Sequence, residues 1–524
     1  MLTAEEARAL EHDAEVQGTS VDTLMERAGH AVARVAADLA GGAYGRRAVV
    51  VCGKGNNAGD GFVAARYLDA WGTGVSVILV SEPGELGEPA ATNLKRLEAT
   101  GVRVIPFSQS RALREFERAD VAVDAIFGLG LRGRPRDPFA SAMWPFSLYD
   151  RPAVSVDIAS GVDSDTAAVP GASVHASVTV TFGAPKVGSV LPPGAYQAGR
   201  LKVADIGYPE ELGVDVDADG QHPWPVTLVE EGDVLVPNPR SPDAHKREAV
   251  VLVVAGSRRM TGAPALVAQG AYRAGAGLVT IAVPEGILPI VQGAIREATF
   301  LPLPEGTSGS ISASAWEMVA ERLSDVDAVA LGPGLSTEGN TAEFVRKLVR
   351  ESPAPVVVDA DGINAFAGDP EQLADRKGNL VITPHAGELS RLLGLTSDDV
   401  SRDPLGAVRA AAAAIRGPVL LKGWRTLVCG PEGRVKVNAT GTPILATAGT
   451  GDVLSGMITA LVARAGEREP PDPRRMDEAA IGGAHVHGLA GRLAGERYGE
   501  GTTASDVAEA LAEVIRSIHE EMER

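Results

Sequence analysis

Short apolar runs rich in β-branched residues recur along the chain, each closed by glycine or a polar cluster and followed by an Ala-rich helical pattern. In the first half they are Ala48–Cys52, Val75–Val80, Val121–Ile126, Ala153–Ile158 and Val178–Phe182. In the second they are Val250–Ala255, Leu278–Val283, Ala328–Leu331, Pro355–Val358, Leu380–Thr383, Val419–Leu421 and Leu427–Val428. Runs this short, apolar on both faces and separated by helices, predict βαβ units with a parallel sheet buried between helix layers. The fold class expected is α/β, as two three-layer αβα domains. Between the two series the stretch 208–245 is rich in Asp, Pro, Gly and Val and has no helical period, which marks a connector. The expected domains are 1–212 and 230–524, with a linker at 213–229.

Composition narrows the field. Of 524 residues only 4% are aromatic, so the cores must be built from Val, Leu, Ile and Ala. The net charge is −19 and no basic run interrupts it, so nucleic acid or an anionic membrane, either of which needs a cationic face, is not an expected partner. A phosphate-bearing small molecule remains compatible, because backbone N–H groups at a helix start hold phosphate on an acidic protein. Cys52 and Cys429 lie in separate apolar runs and read as buried small hydrophobes. No signal pattern opens the chain and no run is long enough to span a bilayer, so a soluble cytoplasmic protein is expected.

Chemistry concentrates at strand ends. The run Gly53-Lys-Gly-Asn-Asn-Ala-Gly-Asp-Gly61 follows the first strand and opens a helix. It loosely fits the dinucleotide fingerprint, but Asp60 would put a carboxylate where a pyrophosphate should sit, and the Walker pattern fails. Asp124-Ala-Ile-Phe-Gly-Leu-Gly130 and Asp157-Ile-Ala-Ser-Gly161 close two more strands. Asn57, Asp124 and Ser160 could converge as hard oxygen ligands for an alkali-type cation, or the aspartates could cap helices.

These segments, with Thr181-Phe-Gly-Ala-Pro-Lys-Val-Gly188, resemble the NAD(P)H-hydrate epimerase domain (the YjeF N-terminal domain) over nearly all of 1–212. The resemblance implies a Rossmann-like sheet. It implies that Asn56, Asn57, Ala58, Gly59, Asp60, Gly128, Leu129, Gly130, Leu131, Arg132, Gly133, Arg134 and Asp157 contact the hydrated nicotinamide nucleotide. It further implies that Asn57, Asp124 and Ser160 hold potassium. Asp157 is the expected acid/base, with Lys186 either assisting or simply solvated. Ala58 and Ala159 stand where the family usually has Gly and Pro. A Cβ at position 58 is expected to tighten or impair the loop.

In the second half, Asn438-Ala-Thr-Gly-Thr-Pro-Ile-Leu-Ala-Thr-Ala-Gly-Thr-Gly-Asp452 runs into an apolar helix. Glycines at a helix start offer N–H donors to a phosphoryl group in flight, and Asp452 can take a proton from an attacking hydroxyl. Lys422-Gly-Trp-Arg-Thr426 is either a phosphate-gripping turn or a plain hairpin. Thr383-Pro-His-Ala-Gly-Glu388 puts an imidazole and a carboxylate at a strand end, and Asp359-Ala-Asp361 could hold magnesium or a water. Together with Gly262-Ala-Pro-Ala-Leu, Gly270-Ala-Tyr-Arg-Ala-Gly-Ala-Gly-Leu-Val279 and Gly332-Pro-Gly-Leu, these resemble the ADP/ATP-dependent NAD(P)H-hydrate dehydratase domain of the ribokinase-like superfamily, over about 230–524.

That resemblance implies a ribokinase-like doubly wound sheet. Ala263, Gly334, His385 and Asp452 would meet the hydrate. Lys422, Gly423, Trp424, Arg425, Thr426 and Gly451 would hold the adenine nucleotide, with Mg2+ accompanying ADP. The expected function is bifunctional repair, an isomerase (epimerase) and a lyase (dehydratase) acting on the hydrates of NADH and NADPH and using ADP. The resemblance also suggests a homo-oligomer. The alternative is a ribokinase-like small-molecule kinase carrying a non-catalytic N-terminal binding module.

Overall fold

The computed structural model describes residues 1–208, 226–237, 239–465 and 474–522. The chain divides into two compact units, Met1–Trp224 and Pro225–Arg524. Residues 213–225 of the expected linker lie outside the described residues.

The first unit holds β1 (Arg47–Cys52), β2 (Gly74–Leu79), β3 (Arg103–Pro106), β4 (Val121–Ala125), β5 (Ala153–Val156), β6 (Val178–Phe182) and β7 (Arg200–Ala204). They form one sheet in the order β3-β2-β1-β4-β5-β6-β7, with every pairing parallel. Alternate residues of β1 feed two cores. Ala48, Val50 and Cys52 pack with the helices Val21–Leu39 and Asn56–Ala70, whereas Val49 and Val51 pack with Phe116, Met143 and Phe146 on the other face. This double coverage explains why the strand reads as an unbroken apolar run.

The second unit holds β8 (Val226–Leu228), β9 (Val250–Val254), β10 (Leu278–Pro284), β11 (Thr299–Leu303), β12 (Ala328–Leu331), β13 (Val356–Val358), β14 (Leu380–Ile382), β15 (Val419–Leu421), β16 (Thr426–Cys429) and β17 (Val435–Asn438). Their order is β11-β10-β9-β12-β13-β14-β15-β16-β17-β8. The sheet is parallel from β11 to β15. It reverses at the β15–β16 and β16–β17 pairs and closes on β8 parallel to β17. Val226–Leu228, read from sequence as linker, is thus an edge strand of this sheet. Both sheets reverse strand order once, between β1 and β4 and between β9 and β12, which is where open α/β sheets place their ligands.

Candidate active sites

In the first unit the β1–β4 crevice is made by glycine. A Cβ on Gly53 would sit 2.0 Å from the Ile126 carbonyl oxygen, so only glycine lets the two strand ends close together. The helix begins at Asn56, directly after its Gly55 cap. Asp60 therefore lies more than a turn inside the helix and is buried, rather than at the helix start as the sequence suggested. Gly59 and Gly61 belong to the helix as well. A side chain there would strike Met25 and Ala125, so these two glycines serve packing.

Asn57, Asp124 and Ser160 do come together. The Asn57 amide donates to the Phe127 carbonyl at 2.9 Å, and the Phe127 N–H donates to Ser160 Oγ at 2.9 Å. Ser160 Oγ in turn donates to Asp124 Oδ1 at 2.6 Å, while Ser155 Oγ and the Ser160 N–H donate to Asp124 Oδ2 at 2.7 and 2.9 Å. Asp124 is 0% exposed, and no salt bridge among the described residues reaches it. Burial pushes its carboxyl up, with the hydrogen bonds from Ser160 and Ser155 pulling the other way. A buried anion among neutral oxygens, lacking a counter-charge, fits a monovalent cation.

The Gly128–Arg134 loop borders this cluster. A Cβ on Gly128 would lie 3.2 Å from Asn57 Oδ1. Leu129 packs on Ile158 and Ala159, and Leu131 is buried. Arg132 pairs with Asp165 at 2.6 Å and Asp163 at 3.4 Å, and Arg134 lies against Gly171. Gly130 and Gly133 face open space, so a ligand could approach their backbone.

Asp157 directly follows β5 with a φ of 62°, unusual for a side-chain-bearing residue, which turns it out of the strand line. Its Oδ1 accepts from Lys186 Nζ at 2.6 Å, Thr181 Oγ1 at 3.1 Å and the Phe182 N–H at 3.1 Å. Lys186 is only 2% exposed, so it is not a solvated surface lysine. Ala58 is 0% exposed, with its methyl packed in the hydrophobic core.

In the second unit the helix Thr450–Arg464 carries Asp452 in its first turn. Its position is set by interlocking glycines. A Cβ on Gly456 would lie 1.9 Å from the Val267 carbonyl, and one on Gly270 would lie 2.2 Å from that of Val453. The Gly270 segment is therefore a helix-packing device of the Ala263–Arg273 helix. The Asn438–Gly441 run ties the preceding loop down. Asn438 donates to the Ala484 carbonyl at 3.0 Å, Thr440 donates to that of His485 at 2.9 Å, and Arg425 donates to that of Ala439 at 2.9 Å.

Lys422 is the hub. Its Nζ lies 2.7 Å from Asp359 Oδ1 and 3.8 Å from Glu388 Oε2. Ser455, one turn beyond Asp452, donates to Asp359 Oδ2 at 2.7 Å. A Cβ on Gly451 would be 3.5 Å from Lys422 Nζ, so the helix start lies over the ammonium. Burial works against the charge of Lys422, but Asp359, Glu388 and Asp452 outweigh it and hold the amine above its ordinary value. Burial first, then Asp359 and Glu388, push Asp452 up to about 7, against the pull of Lys422. A carboxyl half ionised at neutral pH suits a general base.

His385 caps the Ala386–Leu393 helix through Nδ1, which accepts from the Gly387 N–H at 2.9 Å, and it pairs with Lys422 across adjacent strand ends. Gly334, at a φ of 67°, would bring a Cβ within 3.2 Å of that of Ala263, so these two expected residues adjoin. The Lys422–Thr426 turn is a β15–β16 hairpin closed by Thr426 Oγ1 donating to the Gly423 carbonyl at 3.1 Å. Trp424 is 37% exposed, with the Arg425 guanidinium 4.3 Å above its ring. Asp361 does not join Asp359 as a cation pair. Its oxygens take the Ser336 N–H at 2.8 Å and the Asn364 amide at 3.1 Å. Among the described residues no three His, Cys, Asp or Glu side chains form a metal cage, so a magnesium ion here would be held chiefly by the nucleotide's phosphates.

Sequence reasoning missed Ser455, although its spacing from Asp452 puts both on one helix face.

A family profile described as NAD(P)H-hydrate dehydratase matches residues 251–513, and one described as YjeF-related protein N-terminus matches 21–188. The bifunctional NAD(P)H-hydrate repair enzyme Nnr of Moorella thermoacetica is 39% identical over 508 residues, 95% of this chain and 93% of its own. That of Thermofilum pendens is 38% identical, over 97% and 95%. A solved ADP/ATP-dependent NAD(P)H-hydrate dehydratase from Bacillus subtilis, co-crystallized with ATP/Mg2+, is 27% identical over 54% of this chain and 94% of its own, with a TM-score of 0.44. No helix among the described residues is long and apolar enough to cross a membrane. The chain belongs to the family of bifunctional NAD(P)H-hydrate repair enzymes.

Proposed function

We propose that the first unit interconverts the R and S hydrates of NADH and NADPH, and that the second dehydrates the S form at the expense of ADP, releasing AMP and phosphate. The observation that carries the second activity is Asp452, poised near neutrality at a helix start that overlies Lys422. Asp452 takes the proton of the hydrate's hydroxyl, and that oxygen attacks the terminal phosphorus of the nucleotide. The helix-start N–H groups and Lys422 stabilise the charge that builds on the phosphoryl oxygens. The ring nitrogen's lone pair then expels phosphate, a far better leaving group than hydroxide. Loss of a proton from the neighbouring carbon restores the dihydronicotinamide. Magnesium on the nucleotide would neutralise phosphate charge. Ala263, Gly334 and His385 would line the hydrate side, with Gly423 to Thr426 on the nucleotide side.

In the first unit, an acid protonates the departing hydroxyl while the ring nitrogen's lone pair expels water. Water then returns to either face, giving up its proton to a carboxylate. Asp157, fixed by Lys186, is the carboxylate we assign. Asn57, Asp124 and Ser160 would hold potassium, whose positive charge would offset that of Asp124. The experiment is to supply the R hydrate with and without ADP. Release of free phosphate with recovery of the dihydronicotinamide supports the reading. A phosphorylated product that persists would instead make the second unit a kinase.

A further inference from the structure

Asp359 directly follows β13, and its backbone is built into the strand ends around it. Its N–H donates to the Leu331 carbonyl at 3.0 Å, and its own carbonyl accepts from the Gly362 N–H at 2.9 Å. A Cβ on Gly332 would lie 1.9 Å from that carbonyl oxygen, so only glycine lets the end of β12 come this near. The first glycine of the Gly332-Pro-Gly-Leu run therefore serves the placement of Asp359. Ala360, next in the chain, takes a φ of 50°, which turns the main chain out of the strand line.

The side chain so placed is 2% exposed, and both of its oxygens are engaged. Oδ1 accepts from Lys422 Nζ at 2.7 Å, and Oδ2 accepts from Ser455 Oγ at 2.7 Å. Lys422 follows β15, whereas Ser455 lies on the Thr450–Arg464 helix, three residues beyond Asp452. A Cβ on Gly451 would be 3.5 Å from Lys422 Nζ and 4.0 Å from Asp359 Oδ2, so the helix start lies over the ion pair. A lysine ammonium has three hydrogens. Lys186 gives its own to Asp157, the Phe182 carbonyl and Thr181. Lys422 Nζ makes one hydrogen bond among the described residues, the one to Asp359, and keeps the rest for a ligand.

We infer that Asp359 is a positioning residue of the dehydration site, its two oxygens holding the Lys422 ammonium and the helix that carries Asp452 in one frame. This rests on the assignment of nucleotide-driven dehydration to the second unit. With both oxygens buried and spent, Asp359 acts through Lys422 and Ser455 rather than on the ligand. A lysine stem left to itself samples many rotamers, and a displacement of about 1 Å at a reacting centre costs on the order of 100-fold in rate. Tied to Asp359, the ammonium keeps its place below the helix-start N–H groups, so both sources of positive charge reach the same phosphoryl oxygens. The Ser455 bond fixes the helix to the same carboxylate, which sets the spacing between the base and the ammonium.

The test measures ADP-driven dehydration of the S hydrate by the full-length protein, as kcat and as KM for each substrate. Asp359→Asn keeps the shape and removes the charge that holds Lys422. Its kcat is expected to fall about 10–100-fold, with both KM values within about threefold. Ser455→Ala frees Oδ2 alone and is expected to lose about 3–10-fold in kcat, again with KM little changed. Lys422→Met should already contain most of the loss, so adding Asp359→Asn to it should lower kcat by less than about threefold more. Should Asp359→Asn prove insoluble, Ser455→Ala decides alone. An unchanged kcat in either single variant, a loss carried by KM alone, or a full multiplicative loss in the double variant overturns the inference. A wild type that releases no phosphate as it restores the dihydronicotinamide overturns the underlying assignment. Wild-type release in step, beside unaffected variants, leaves that assignment standing and removes only the role of Asp359.

Discussion

Asp452→Asn is expected to abolish dehydration and also to stabilise the protein. Burial and two neighbouring carboxylates raise this group from an ordinary 3.8 to about 7, so its ionised form is costly in the fold. At about 1.4 kcal/mol per pH unit, that gap sets a ceiling of roughly 4 kcal/mol. Asparagine keeps the shape and removes the charge. Lys422 loses one anionic neighbour but keeps Asp359 at 2.7 Å and Glu388 at 3.8 Å, so roughly 2 kcal/mol of the ceiling should be realised. The unfolded chain ionises this group near 3.8 and the folded chain near 7. Below the first value both states are protonated and there is no penalty. Between the two values the wild type loses stability as pH rises, and the asparagine variant does not. Its advantage is therefore less than half developed at pH 5 and nearly full at pH 8, where roughly 2 kcal/mol across the unit Pro225–Arg524 corresponds to a rise in Tm of about 3 °C. Calorimetry of both proteins at the two pH values, beside a dehydration assay, measures this. Equal midpoints at pH 8, or an offset that does not change with pH, would refute the reasoning.

Three further outcomes follow from the packing. Gly456→Ala drives a methyl into the Val267 carbonyl and must push the paired helices apart, so a loss of about 2–3 kcal/mol by denaturant unfolding and a larger fall in dehydration than in epimerisation are expected. Ala58→Gly removes a core methyl inside a helix, so it should cost about 1–2 kcal/mol while leaving the epimerisation rate within about twofold. Asp124→Asn removes the anion of the cation cluster, so epimerisation should lose its dependence on potassium when assayed in potassium and choline buffers.

The strands that could be read from sequence are those buried on both faces. The four that close the sheets, β3, β7, β8 and β11, were passed over. An edge strand exposes part of its length: Arg200–Ala204 has no fully buried residue, and Thr299–Leu303 buries only Leu301 and Leu303. Such segments lack the continuous apolar run that marks a central strand. β17 was missed for a different reason, because Lys436 interrupts its pattern and pairs with Asp233 at 2.8 Å. At the sites, residues within one motif were legible, whereas those brought in by the fold were not. The tie of Asp359 to Lys422, for one, joins residues 63 apart. The glycines misled most. In Gly53–Gly61 and Gly270–Val279 several exist for close packing, and only the contacts a Cβ would make tell these from ligand-facing ones.

The most direct measurement supplies a mixture of R and S hydrates of NADH with ADP and magnesium, and follows dihydronicotinamide absorbance to completion. The wild type should convert both epimers and release phosphate in step. Asp157→Asn should consume the S form quickly and then continue only at the slow uncatalysed rate of epimerisation. Asp452→Asn should still equilibrate the epimers yet restore no dihydronicotinamide. Recovery at the wild-type rate by Asp452→Asn would contradict the role of that carboxylate and the division of labour between the two units.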